Sequence, residues 1–271
     1  MKNLQDEKPR VKEYLERVGV TSLRTIVITN WKGKQYRFVP EIELVIDLEK
    51  ERRGVHMSRL IESIAECIEE EVAIRYNSLE ELGRAILEKV KKKHPYKRGE
   101  ISIKTQLVIP KETPITKKKT FETHDVEVRV YSDNGKYRKI LIVRVIGNTL
   151  CPHSLENVNG KTHVQRAITE LEIETSFEEE IALEDMISLV ESCFPSEVYT
   201  LLKTKDEKYV VEKMFENPKF VEDVTRDVLD KARKIVAEGK IRVKTISFES
   251  IHRHDVLAEV SCRINGKSKN E

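Results

Sequence analysis

Residues 36–68, YRFVPEIELVIDLEKERRGVHMSRLIESIAECI, carry the change of hydrophobic period that decides the fold. From Tyr36 the apolar side chains fall at Phe38, Ile42, Leu44, Ile46 and Leu48, with Arg37, Glu41, Glu43 and Asp47 between them. That alternation describes a half-buried strand, and a partner strand is expected at residues 24–31 across the turn around Gly33. The period then lengthens: Met57, Leu60, Ile61, Ile64 and Ile68 follow helical spacing, as do Leu79, Leu82, Ile86 and Val90. Ser78 with Glu81 three residues later forms a capping box that starts the second helix.

Outward from this stretch the order repeats. Strands are expected near residues 101–109 and 126–131, followed by an Asn134-Gly135 hairpin turn. Strands at 140–146 and 164–175 and a helix at 183–190 come next. A longer helix is expected with Asn217 as cap and Pro218 in its first position, running to about Glu238 with Val221, Val224, Val228, Ala232 and Ile235 on its core face. Strands at 241–248 and 256–264 close the set. The reading is strand-strand-helix-helix-strand-strand, twice, giving an α+β protein of two modules, residues 1–135 and 136–271. Each module is an antiparallel sheet with helices on one face. Such sheets leave open edges, which joining several copies into a barrel would remove, so a homo-oligomer is expected.

Composition narrows the function. The 271 residues include 49 Lys and Arg against 47 Asp and Glu, a formal charge of +2, and 35% are charged. Nucleic-acid binders carry a larger or more clustered basic excess, and Lys117-Lys118-Lys119 reads as a solvated loop. No apolar run has the length of a membrane span and residues 1–10 show no signal-peptide core, so a cytoplasmic protein is expected. The four cysteines are scattered too widely for a disulfide framework. Cys67 and Cys262 read as core, while Cys151 sits in a polar motif.

Four segments have chemistry-bearing residues. Cys151-Pro152-His153-Ser154 follows a strand and His163 opens the next, so a thiolate and an imidazole face one mouth, a pair suited to Zn or Fe(II). His252 and His254 have strand spacing and project to one side if the segment is extended, as a surface turn or as part of a metal site. The acidic residues Asp206-Glu207 and Glu222-Asp223 form the third; by itself Glu222, near a helix start, reads first as a solvated glutamate favoured by the helix dipole. Arg52-Arg53-Gly54-Val55-His56-Met57-Ser58-Arg59 leads from a strand into a helix N-terminus, a place for phosphate or simply a basic capping loop.

Taken together, Arg53–Arg59, Leu150-Cys151-Pro152-His153-Ser154, His163-Val164-Gln165-Arg166, residues 206–210, residues 216–223 and Glu249-Ser250-Ile251-His252-Arg253-His254 resemble the type IB GTP cyclohydrolase family. That family includes the archaeal GTP cyclohydrolases of methanopterin-type synthesis. The resemblance implies tandem tunnelling-fold modules in a homotetramer. It implies one divalent metal per site, Fe(II), Zn(II) or Mn(II), on Cys151, His163 and His252, with Glu207 the acidic ligand or a near neighbour. It implies Glu222 as anchor of the guanine edge, with Glu249 the runner-up, and His254 as proton carrier. Gln165 joins the substrate-binding set, and Arg53, His56 and Arg59 are its phosphate side. The implied reaction is hydrolysis at C8 of GTP with release of formate. It begins pterin, folate or methanopterin synthesis, yielding 7,8-dihydroneopterin triphosphate or the 2′,3′-cyclic phosphate counterpart. Many members have a second cysteine where this chain has His153 and an asparagine where it has Val164. A catalytically silent purine-binding or structural-metal protein on the same scaffold is the alternative, marked by a metal with four protein ligands and no open position.

Overall fold

The computed structural model describes residues 3–31, 34–69 and 76–266. They form two compact units, each made of two separate stretches of the chain. One comprises Met1–Thr105 and Glu127–Ile140, the other Gln106–Val126 and Leu141–Glu271. The architecture is α+β, dominated by a large antiparallel sheet with helices on one face.

In the first unit, β1 (Leu15–Arg24) pairs antiparallel with β4 (Glu41–Leu48). Gly19 is required there, because a Cβ would lie 1.9 Å from the Leu44 carbonyl oxygen. The alternation in β4 is as expected, with Ile42, Leu44, Ile46 and Leu48 all buried. The strand expected to run from Tyr36 to Leu48 is two strands. Its first part, β3 (Lys34–Phe38), pairs with β2 (Val27–Trp31) in a separate two-stranded sheet. Pro40 stands between β3 and β4; it has no N–H to offer a ladder, so period-2 patterning runs through a break it does not register. The expected turn at Gly33 lies outside the described residues.

The two expected helices are α1 (Met57–Ile68) and α2 (Leu79–Lys93). The Ser78 hydroxyl accepts from Glu81 N at 3.2 Å, while the Glu81 carboxylate reaches back to Asn77 N at 2.9 Å. They pack on each other, and Leu60, Ile64, Cys67, Leu82, Ile86 and Val90 on their apolar stripes are all buried. Gly83 lets α2 sit close to β5 (Arg98–Glu112) and β6 (Lys119–Asp133), where a Cβ would meet Ile101 and Val130 at 3.1 Å. Asn134 and Gly135 both take positive φ, 50° and 84°, as a two-residue turn into β7 (Lys136–Leu150) demands.

In the second unit, β8 (Val164–Ser176), β9 (Gly239–Ser247) and β10 (Val256–Ile264) form an antiparallel ladder in unbroken register. A six-residue helix, α3 (Pro152–Asn157), follows β7, and α4 (Leu183–Glu191) is the helix expected at 183–190. Helix α5 (Thr204–Glu216) was not expected. Asn217 closes it, its N–H bonding Met214 O, instead of opening the next helix. Residues before proline are pushed out of the α region, which stops α5 at Asn217. The long helix α6 (Val221–Ile235) therefore starts three residues beyond Pro218, with Asp223 accepting from Phe220 N at 3.0 Å. Val221, Val224, Val228 and Ala232 are buried against β9 and β10 as expected, each valine worth roughly 2 kcal/mol. Ile235, expected on that face, is 41% exposed because the helix ends there. Cys262 is half-buried on the edge strand.

Candidate functional site

The ends of β7, β8 and β9 and the start of α6 surround a cavity of about 210 Å³ in the second unit. Cys151, His163, Gln165, Glu222, Glu249, His252 and His254 all line it. Cys151 follows the last residue of β7 and caps α3, its sulfur accepting from Ser154 N at 3.4 Å. Its backbone N–H bonds His163 O, and Thr162 Oγ1 donates to its carbonyl at 2.7 Å, so thiol and imidazole are tied together through the main chain.

His163 is oriented from beneath. Its Nδ1 lies 2.8 Å from Gln165 Oε1, an acceptor only, so Nδ1 is the donor and Nε2 is left with a lone pair. Gln165 is fixed in turn by donating from Nε2 to Thr149 Oγ1 at 3.1 Å and Glu249 Oε1 at 3.2 Å. Ser247 Oγ donates to the same Glu249 oxygen at 2.9 Å, and Thr149 and Ser247 share a 2.7 Å bond. The other Glu249 oxygen is 3.6 Å from His163 Nδ1. Thr149, Gln165 and Ser247 are buried, one from each of three adjacent strands. Nothing in the sequence marks Thr149 or Ser247; only the register of β7 and β9 makes them neighbours.

On the solvent side residues 250–254 are a run of bends, not a strand, yet His252 and His254 do face one way. Their rings stack at 5.2 Å and 14°, and the His252 ring stands edge-on to His163 at 6.4 Å. Both are exposed. Glu222, in the first turn of α6, is exposed at the cavity rim.

The remaining expected residues stand elsewhere. Glu207 is exposed on α5 and does not line this cavity. Its neighbour Asp206 is fully buried and clamps the loop before β6, accepting from Ile115 N, Thr116 N, Thr116 Oγ1 and Lys203 N at 2.6–3.1 Å. Burial alone would raise its pKa, but those hydrogen bonds outweigh it and hold the carboxyl well below the usual range. Arg53, His56 and Arg59 belong to the first unit. Arg53 pairs with Glu7 at 3.3 Å, His56 Nε2 lies 3.3 Å from Asp6, and Arg59 donates to Lys93 O at 3.2 Å.

Cys151, His163 and His252 fit a transition metal by donor chemistry: a thiol and two imidazoles, one with its second nitrogen already engaged by an orienting partner. Among the described residues no three such groups stand close enough together to hold an ion without adjustment.

An α+β chain whose antiparallel strands deliver a thiol, imidazoles and carboxylates to one cavity has the equipment of a metal-assisted or acid–base enzyme. The family profile described as type I GTP cyclohydrolase folE2 matches residues 1–258, and the chain belongs to that family. It is 56% identical to "GTP cyclohydrolase MptA" of Thermococcus kodakarensis over 260 residues, covering 94% of this chain and 97% of that one. It is 54% identical to the MptA of Pyrococcus furiosus, with the same coverage, and 36% identical to "GTP cyclohydrolase FolE2" of Thermosipho africanus, covering 96% and 98%. Among solved structures it is similar to uricase from Arthrobacter globiformis, with a TM-score of 0.56 at 8% identity over 94% of this chain and 96% of that one, a likeness of fold alone. The chain is thus an enzyme, and no helix among its described residues is long and apolar enough to cross a membrane.

Proposed function

We propose that the chain is a metal-dependent GTP cyclohydrolase of the type IB kind, hydrolysing C8 of GTP, releasing it as formate and forming 7,8-dihydroneopterin triphosphate or its 2′,3′-cyclic phosphate counterpart. The observation that carries this reading is the convergence of seven residues, from four separate segments of sequence, on one cavity. Relatives named GTP cyclohydrolase over nearly the whole chain support it.

Cys151, His163 and His252 would hold the metal, Fe(II), Zn(II) or Mn(II); Glu207, which does not line their cavity, is left out of the set. The chemistry such an ion would supply there is hydroxide near neutral pH, from water of lowered pKa. The rest falls to the chain itself. Gln165 and Glu249 fix the His163 ring so that Nε2 is the nitrogen presented. Glu222 accepts from the N–H and exocyclic amine of the guanine edge, which positions C8. His254, stacked on His252, moves protons as the imidazole ring opens; its Nδ1 lies 3.3 Å from Asp255 O and so donates, leaving Nε2 to act. The proposal extends to a tunnelling fold completed in a cytoplasmic homotetramer. The end positions of β1 and β10 in the strand order support it, because each leaves one edge unpaired among the described residues.

An anaerobic assay with GTP and Fe(II), Mn(II) or Zn(II) in separate tubes tests this. Stoichiometric formate and fluorescent oxidised pterin are expected, with mass spectrometry of the product assigning its phosphate branch. Guanine binding without either product, with every metal, would leave a silent purine-binding protein. Light scattering reads the tetramer independently.

A further inference from the structure

Lys219 stands in the short connection between α5 and α6 and lines the same cavity as Cys151, His163 and Glu222. The reaction proposed above gives it no task. Its ammonium is already committed: Nζ donates to Cys193 O and to Asp227 Oδ2, both at 2.8 Å, and the side chain is only 16% exposed. Its backbone carbonyl accepts from Leu150 N at 3.4 Å. One residue is thus bonded to three elements. Leu150 ends β7 and precedes Cys151, Cys193 lies just beyond α4, and Asp227 is in the second turn of α6.

Those three elements are the ones whose relative placement matters to the site. Glu222 is the second residue of α6, so its carboxylate goes where the first turn of that helix goes. Val221, Val224, Val228 and Ala232 hold the helix against β9 and β10, but apolar burial is non-directional. Charge-assisted hydrogen bonds add geometric definition. Lys231, one turn beyond Asp227, also ties α6 to the end of α4, through Ser192 O and Oγ at 3.2 and 2.7 Å. Lys219 is the tether that reaches β7 as well. A free ammonium in this place would serve phosphate; one held by a carboxylate and a carbonyl serves the scaffold.

We propose that Lys219 is a positioning residue, which sets the first turn of α6, and with it the Glu222 carboxylate, at a fixed separation from Cys151 and His163. The guanine edge and C8 are then presented together to the two ends of one cavity. This rests on the reading of Glu222 as the guanine anchor.

Steady-state kinetics with GTP as substrate and guanosine as competitor test it, because guanosine has the guanine edge and no phosphate. Lys219→Met keeps a side chain of similar length and removes the ammonium. It should raise KM for GTP and Ki for guanosine by the same factor, about tenfold, since a misplacement of ~1 Å can cost up to about a hundredfold. Saturated kcat and bound metal should stay near the parent's. Asp227→Asn, which does not line the cavity, should show the same pattern more weakly, and the double variant should be no worse than Lys219→Met. Unchanged affinity for both compounds, additive losses in the double variant, or a parallel loss of metal overturns the proposal. So does weakened affinity for GTP alone, which is the mark of a direct phosphate contact. Should Lys219→Met fail to fold, Asp227→Asn decides by the same comparison. Glu222→Ala separates the two readings. If it keeps its guanosine affinity, the anchor falls and this inference with it; if it loses that affinity while Lys219→Met does not, only the role of Lys219 falls.

Discussion

Two clusters of ionisable side chains in the second unit make an instructive pair. Around Cys151, donors face a cavity with valence to spare: His163 and His254 each have one nitrogen engaged by an acceptor, and Glu222 stands at the rim with no ion pair among the described residues. Around Lys111 the charges have closed on one another. Its Nζ lies 2.8 Å from both Glu191 and Glu197 and 4.8 Å from the Tyr199 ring centroid, and Tyr199 OH donates to Glu197 at 3.0 Å. This group borders the larger cavity, about 330 Å³. Burial works against the Lys111 ammonium, yet its two carboxylate partners hold its pKa above the ordinary value. Burial pushes Glu191 up despite Lys111, whereas the bonds from Lys111 and Tyr199 keep Glu197 down, so Glu191 is the first of the two to take a proton. The larger cavity thus borders charges already paired with one another, and the smaller one side chains with lone pairs and protons to spare.

That contrast can be broken by substitution. The largest effect is expected at the open cluster: Cys151→Ala or His252→Ala should abolish turnover and bound metal together, read by formate release and metal analysis, with the melting temperature little changed. Full activity in either variant would falsify the assignment. Glu222→Ala should lose GTP binding while metal content stays at the parent level, which separates anchoring from ligation. Gln165→Leu, leaving Glu249 and Thr149 without their shared donor, should cost about 1–3 kcal/mol of stability and lower the metal affinity about tenfold or more.

The closed cluster should answer in stability alone. Lys111→Met leaves two partly buried carboxylates facing each other and is expected to cost about 3 kcal/mol in urea unfolding, with kcat unchanged in the surviving folded protein. A fall in kcat without loss of stability would move this cluster into the catalytic machinery. The smallest effect has a pH signature. Asp206 has a depressed folded pKa, so its contribution is fully present above the unfolded carboxylate value of about 4 and is lost as pH falls toward the folded one. The melting-temperature gap between the parent and Asp206→Asn should accordingly be widest near neutral pH and narrow in acid. A gap independent of pH would show that shape, not charge, is what the clamp uses.

Asp206 and Glu207 also show how far sequence reading reached. Adjacent acids at a helix start look alike in one dimension. The fold turns the first inward onto Thr116 and leaves the second exposed, because a helix rotates successive residues by about 100°. Helix α5 itself went unseen since Pro218 and Asn217 read as a start signal for α6, when the same pair terminates the helix before it. Strand β1 was missed for a related reason: its burial pattern is mostly exposed and its apolar alternation is weak, so only pairing with β4 holds it as a strand.

What the sequence determined by itself was local and periodic. The alternation of β4, the stripes of α1, α2 and α6, the Ser78 cap and the Asn134-Gly135 turn follow from dihedral preferences and side-chain direction over a few residues. The chemical types of the site residues could be read there as well. Tertiary structure alone decided which strands share a register, and with it the Thr149–Gln165–Ser247–Glu249 network that aims His163. It likewise closed the charges of Lys111 upon themselves. Such pairings depend on distances between residues tens of positions apart, and those are fixed only when the whole sheet packs against its helices.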